Sequence, residues 1–216
     1  KVMNGTVDVT ASYPKISTIN GKLTVTPRTV ILTSGSAEKE YDGTPLTNAT
    51  VTVSGSGFAA GEGAVYDVTG SQTEAGSSAN AFTYQLNDGT KKDNYNITKA
   101  EGTLNVTKRL ATITVTAGND SKKYDGTELR SNTYSSTGKL ADGEPLLVMV
   151  EGSITNVGST ENKVASVKVM RGEKEVTSNY ENIVKISGKL TVTKRNVILT
   201  SATDSKAYDG TPLTSL

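Results

Sequence analysis

The chain has 216 residues, with 23 basic and 22 acidic side chains and a net charge of +1. It has no Cys and no His, which removes disulfides, thiolate chemistry, and the commonest general base and metal ligand. Charge balance excludes a global field that would steer it to nucleic acid or anionic lipid, and no apolar run approaches the roughly 18 residues that span a bilayer.

Residues 1–49 return as 168–216, in register and identical at 29 of 49 places. Self-similarity at a fixed period marks an array. A third occurrence of Tyr-Asp-Gly-Thr halves the period: Tyr41, Tyr124 and Tyr208 stand 83 and 84 residues apart. Each is preceded, 28 or 29 residues earlier, by a second marker tyrosine, Tyr13, Tyr95 or Tyr180. The unit is about 83 residues in two alternating versions, and this sets the borders. Residues 1–27 read as the C-terminal part of a truncated repeat and 28–108 as a full repeat of the first version. Residues 109–194 read as a full repeat of the second version, and 195–216 as the N-terminal part of a truncated one. The chain therefore reads as a window on a longer pattern. The apolar faces of its two partial repeats need cover, from the adjacent unit or a neighbouring molecule.

In chain order, β-branched residues alternate with polar ones, as in Val51-Thr52-Val53 and Thr112-Ile113-Thr114-Val115, with Gly, Asn and Asp punctuating every 8–12 residues. This pattern predicts an all-β fold. Phe58–Glu62 and its counterpart Lys139–Glu144 support at most one helical turn. At the joints the inward face changes phase. Leu104 and Val106 lie on one face, yet beyond Lys108-Arg109 the apolar set is Ala111, Ile113 and Val115, an odd step. One strand ends and another begins there with almost no linker. Self-contained modules fused end to end are expected, more immunoglobulin-like sandwich than β-grasp because no helix of useful length is visible.

In Tyr41-Asp42-Gly43-Thr44, Tyr124-Asp125-Gly126-Thr127 and Tyr208-Asp209-Gly210-Thr211, glycine supplies positive φ, and the Asp carboxylate caps its own turn. The tyrosine is expected to pack its ring on the core and keep its hydroxyl wet. Tyr95 and Tyr180 read as anchors at a turn entering the last hairpin. A sugar-binding role for the motif is the weaker reading, because each copy occupies the same place in its unit, as scaffold does. The Gly70-Ser71 and Gly152-Ser153 stretches read as loops. Lys39, Lys122 and Lys206, each two residues before a motif tyrosine, read as edge lysines that blunt strand aggregation. Their alternative is an intramolecular Lys–Asn or Lys–Asp amide bond. Tyr66, Tyr84 and Tyr134 differ between the two versions, are not demanded by scaffold, and are the candidate ligand contacts. No catalytic group, cofactor or metal site is assigned. Carboxylates are scattered and lack calcium-loop spacing.

The order of motifs, Lys39–Thr44, Val68–Ser77, Asn94–Ile97 and Gly102–Lys108, recurs as Lys122–Thr127, Val150–Ser159, Asn179–Ile183 and Gly188–Lys194. It resembles the tandem YDG/MBG-type repeats of secreted or cell-wall-anchored proteins of Gram-positive bacteria, gut Firmicutes among them. The resemblance implies an extracellular, β-rich, non-catalytic segment of a surface adhesin. Its expected role is a stalk that projects a head domain. The alternative is weak, multivalent binding of host glycans, mucin or proteins by the repeats themselves. It implies no nucleic-acid or membrane contact, and no binding residue carries over.

Overall fold

The computed structural model describes residues 1–214; positions 215 and 216, at the end of the last partial repeat, lie outside them. It is an all-β molecule. The first partial repeat contributes β1 (Met3–Asn4) and β2 (Val7–Asp8). The first full repeat contributes β3 (Arg28–Ser34), β4 (Ala37–Glu40), β5 (Val51–Gly55), β6 (Ala64–Val68), β7 (Gly76–Ala79), β8 (Phe82–Leu86), β9 (Tyr95–Ala100) and β10 (Thr103–Thr107). The second contributes β11 (Ile113–Ala117), β12 (Asp120–Lys123), β13 (Tyr134–Thr137), β14 (Leu146–Glu151), β15 (Gly158–Arg171), β16 (Lys174–Glu175), β17 (Ile183–Ile186) and β18 (Gly188–Thr193). Short 3₁₀ turns at Thr10–Ser12, Lys92–Asn94 and Thr177–Asn179 each lead to a marker tyrosine.

Two compact units form, and they do not coincide with the two repeats. The first comprises Lys1–Thr33, Val51–Asp67 and Thr83–Ala100. It holds the β1–β2 hairpin, a sheet of order β5-β3-β9 with β3 and β9 parallel, and the β6–β8 ribbon. Val30 and Leu32, two apart on β3, are fully buried, while Ile31 between them is exposed, as period-two alternation dictates.

The second unit comprises Ser34–Thr50, Val68–Phe82 and everything from Glu101 onward. Its sheets have the orders β4-β10-β7, β13-β11-β17 and β12-β18-β15-β14, with β16 pairing β15. In each repeat the opening and closing strands pair in parallel: β4 with β10, β11 with β17, β12 with β18. The last two strands of a repeat therefore belong to different sheets, and the hairpin expected after Tyr95 and Tyr180 does not form. The chain crosses between sheets at Gly102 and Gly188. A Cβ on Gly188 would sit 2.3 Å from the Gly118 carbonyl oxygen, and one on Gly102 2.4 Å from that of Ser34, so the close approach admits no side chain.

Beside each crossing lies a fully buried asparagine. Asn80 donates from Nδ2 to the carbonyls of Gly35 and Asn48 (both 2.8 Å), and Asn162 to those of Gly118 and Ser131 (2.9 and 3.1 Å). These bonds pin the kink where the opening strand leaves one sheet for the next. They also account for Gly70 and Gly152, where a Cβ would meet the asparagine Oδ1 at 2.2 and 2.6 Å.

The main core of this unit joins Tyr41 and Val106, from before the Lys108-Arg109 joint, to Ile113, Val115, Val164, Val169, Val176 and Tyr180 from beyond it. One core crosses the joint. This corrects the expectation that each repeat is self-contained, and the reason is visible in the phase flip itself. With no linker, the last inward residue of one repeat and the first of the next fall within a few residues of each other and share one apolar volume. A smaller cluster, Leu129, Leu190 and Val192 with Ile154, lies farther along the second repeat. The partial repeats gain no cover: Leu23, Val25, Ile198 and Leu199 are each close to nine-tenths exposed or more.

Candidate functional site

The most developed polar arrangement surrounds Tyr41. Its turn is built locally. Gly43 adopts φ +84°, and the Asp42 carboxylate accepts from the Thr44 amide (2.9 Å) and hydroxyl (2.8 Å). Lys39 Nζ donates to Asp42, to the Thr44 carbonyl and to the Thr44 hydroxyl, each at 2.7 Å. The Lys39 ammonium holds the Asp42 carboxyl down at about 2, against the opposing effect of burial. Lys122 and Lys206 repeat this geometry with Asp125 and Asp209. These lysines close the motif turn, and Lys39 and Lys122 do so from edge strands, β4 and β12. The Lys39 side chain is 21% exposed and that of Asp42 49%.

The turn delivers Tyr41 into the second repeat. Tyr41 is 0% exposed, and its hydroxyl donates to Glu144 Oε1 at 2.5 Å. Tyr180 donates to the other oxygen of the same carboxylate, Oε2, at 2.6 Å, and accepts the Ala141 amide at 2.8 Å. The two rings meet edge-on with centroids 5.8 Å apart. Burial, then the Glu144 carboxylate, raises both hydroxyls, Tyr180 to about 12 and Tyr41 well above the ordinary tyrosine value. The expectation of a wet hydroxyl on Tyr41 is thus overturned: Glu144, itself 4% exposed, takes the place of water.

Three further links flank the ring. Arg109 Nη1 donates to the Tyr41 carbonyl (3.2 Å), while its Nε caps the Lys139 carbonyl (2.8 Å). Arg171 donates to the Tyr41 hydroxyl (3.2 Å) and the Gly43 carbonyl (3.3 Å). Glu74, from the loop before β7, pairs with Arg171 and Lys174 and accepts from Asn179. Asn179 Oδ1 in turn accepts the Ala75 amide at 2.8 Å. Burial raises the Glu74 carboxyl, but Lys174, Asn179 and Arg171 together outweigh it and leave it lowered. Each polar group entering the joint has a partner. The arrangement fits docking of one repeat on the next and offers no nucleophile–base pair.

The first unit holds the same receiving geometry. Tyr95 donates to Glu62 Oε2 (2.6 Å) and accepts the Ala59 amide (3.0 Å), with Phe58 edge-on at 5.1 Å. Ala59 and Glu62 match Ala141 and Glu144 at an offset of 82. This Ala-x-x-Glu turn is the functional element that sequence reasoning missed, reading it as a candidate helical turn and no more. The signal is present in the chain: Ala, Gly and Glu recur at equivalent places (Ala59, Gly61, Glu62 and Ala141, Gly143, Glu144) while Phe58 and Ala60 give way to Leu140 and Asp142.

The candidate ligand contacts fall in both units. Tyr66 and Tyr84 lie on the paired strands β6 and β8, each partly buried, and burial raises the Tyr66 hydroxyl. Tyr134 opens β13 and is 42% exposed. Among the described residues no helix is long and apolar enough to cross a membrane. No protein-family model and no curated protein matches the chain.

Proposed function

We propose that this chain is a non-catalytic spacer, a run of tandem β repeats of the YDG/MBG kind that carries a head domain away from a bacterial cell surface. Outside the cell, wall-anchored or secreted, such a segment needs one mechanical property, restricted bending between successive repeats. The observation that carries the reading is the sealed tyrosine at the joint, where the Glu144 carboxylate is shared by hydroxyls from two repeats. A joint with a common core and satisfied polar groups resists opening, because each donor or acceptor stranded without water costs about 1–3 kcal/mol. The shared core removes independent modules from the account of this joint, so the spacer reading rests on the sealed polar contacts there and no longer on separately folded repeats. A spacer also needs no nucleophile, cofactor or metal, in keeping with a chain that lacks His and Cys.

Small-angle scattering of the 216-residue chain tests the reading. An elongated profile supports it, and the profile of a compact globule of the same mass overturns it. A second reading, weak multivalent binding of host glycans or extracellular proteins, draws on the exposure of Tyr134. Binding on a glycan array that Tyr134→Ala abolishes would favour it over the spacer.

A further inference from the structure

Two surfaces of this molecule each repeat the residues of one side of the Tyr41 joint. Tyr124 closes the same Lys-Asp-Thr turn as Tyr41, with Lys122 Nζ to Asp125 at 2.8 Å and Gly126 at φ +84°. Yet Tyr124 is 40% exposed, where Tyr41 is 0%. It borders an open cleft with Val157, Lys194, Arg195 and Val197. Val157 is the counterpart of Ala75, which lies inside the Tyr41 joint, and Arg195 is the counterpart of Arg109, which caps the Tyr41 carbonyl. On the first unit, a cleft lined by Pro27, Arg28, Ala59, Glu62, Asn94 and Tyr95 repeats the receiving side. There Arg28 Nε caps the Gly57 carbonyl (3.0 Å), as Arg109 caps that of Lys139. Glu62 is only partly buried, whereas Glu144 is sealed by Tyr41.

We propose that the exposed Tyr124 face is a docking surface whose occupant is a repeat of the first version, received through its Ala-x-x-Glu turn and marker tyrosine. In that joint the Tyr124 hydroxyl donates to the free oxygen of the carboxylate corresponding to Glu62. Arg195 donates to the Tyr124 carbonyl, and Val157 covers the ring edge. The chemistry differs from the Tyr41 joint in one respect. Asn156 stands where Glu74 does, so the carboxylate that pairs with Arg171 and Lys174 has no counterpart at Tyr124. The second kind of joint is therefore more apolar and less charged, and salt weakens it less. The proposal rests on the tandem-repeat reading, but it can fail independently.

The test extends the chain. Residues 195–214 match 28–47, so a copy of residues 50–108 joined after position 216 completes a third repeat. Tyrosine nitration by tetranitromethane, mapped by mass spectrometry, reads accessibility in the 216-residue and extended chains. In the first, Tyr124 and the 97%-exposed Tyr208 react while Tyr41 does not. In the extended chain Tyr124 is expected to lose at least tenfold in rate, while Tyr13 keeps its own. Hydrogen exchange at Val197, Ile198 and Leu199 reports separately whether the third repeat forms. Protected amides with a reactive Tyr124 overturn the docking. Unprotected amides with a reactive Tyr124 overturn both the docking and the repeat assignment of 195–214. Protection of Tyr124 together with a compact scattering profile keeps the docking and removes the spacer.

Discussion

Tyr41 and Tyr124 occupy the same place in two copies of one motif, with matching turns and matching lysine locks, yet one is sealed and the other is open. The difference lies in the next repeat along the array. Tyr41 meets the Ala141–Glu144 turn and Tyr180; at Tyr124 the corresponding space is a cleft. A third copy sharpens the lesson. Tyr208 keeps the Lys206–Asp209 bond at 2.8 Å although it is 97% exposed. The turn is therefore a local property of Lys-x-Tyr-Asp-Gly-Thr, and burial of the ring is conferred by the neighbour.

The largest expected effect is at the ring itself. Tyr41→Ala should lower unfolding free energy by about 3–5 kcal/mol, as expected for a fully buried aromatic. Tyr124→Ala in the same chain should stay within about 0.5 kcal/mol. Urea unfolding of both variants checks the contrast, and equal losses would erase it. Next comes Gly188→Ala, which forces a methyl against a backbone carbonyl and should cost about 1–3 kcal/mol. Tyr41→Phe keeps the ring but strands the carboxylate oxygen. The expected loss is of a similar size, about 1.5–3 kcal/mol, because the lost bond is to a charged group.

The pH response separates joint from turn. For Tyr41 and Tyr180 the folded values lie above the unfolded one near 10, so the neutral hydroxyl is bound more tightly in the folded state. Their stabilisation is complete below pH 10 and is lost as pH rises toward and beyond about 12, the Tyr180 value. Asp42 runs the other way. Its folded value, about 2, lies below the ordinary 3.8, so its contribution is present above about pH 4 and lost as pH falls through 2. Because these turns are half open to water, the acid effect is the smaller and salt should diminish it. Circular dichroism across both ranges, with Tyr41→Phe as control, tests the order. An alkaline transition unchanged in Tyr41→Phe would contradict the assignment.

Legibility in the sequence tracks the range of each interaction. The period, the strand content, the positive-φ glycines of the motif turns and the phase flip at Lys108-Arg109 all depend on residues a few positions apart. The Asp42 and Lys39 turn belongs to that class, although the lysine's part in it went unread. Pairings over long separations did not show. Alternation alone carries no information on whether β10 joins β9 or β4, and the parallel choice emerges only when Asn80 and Gly102 fix the crossing. The fate of the Tyr41 hydroxyl was hidden for the same reason, since Glu144 lies 103 residues away.

The central claim, that the motif tyrosine is held by the next repeat, is tested most directly by a double-mutant cycle between Tyr41→Phe and Glu144→Gln, read from urea unfolding at about pH 7. Direct contact across the joint predicts a coupling energy of about 1 kcal/mol or more. Strictly additive losses, with no coupling between the two positions, would contradict it.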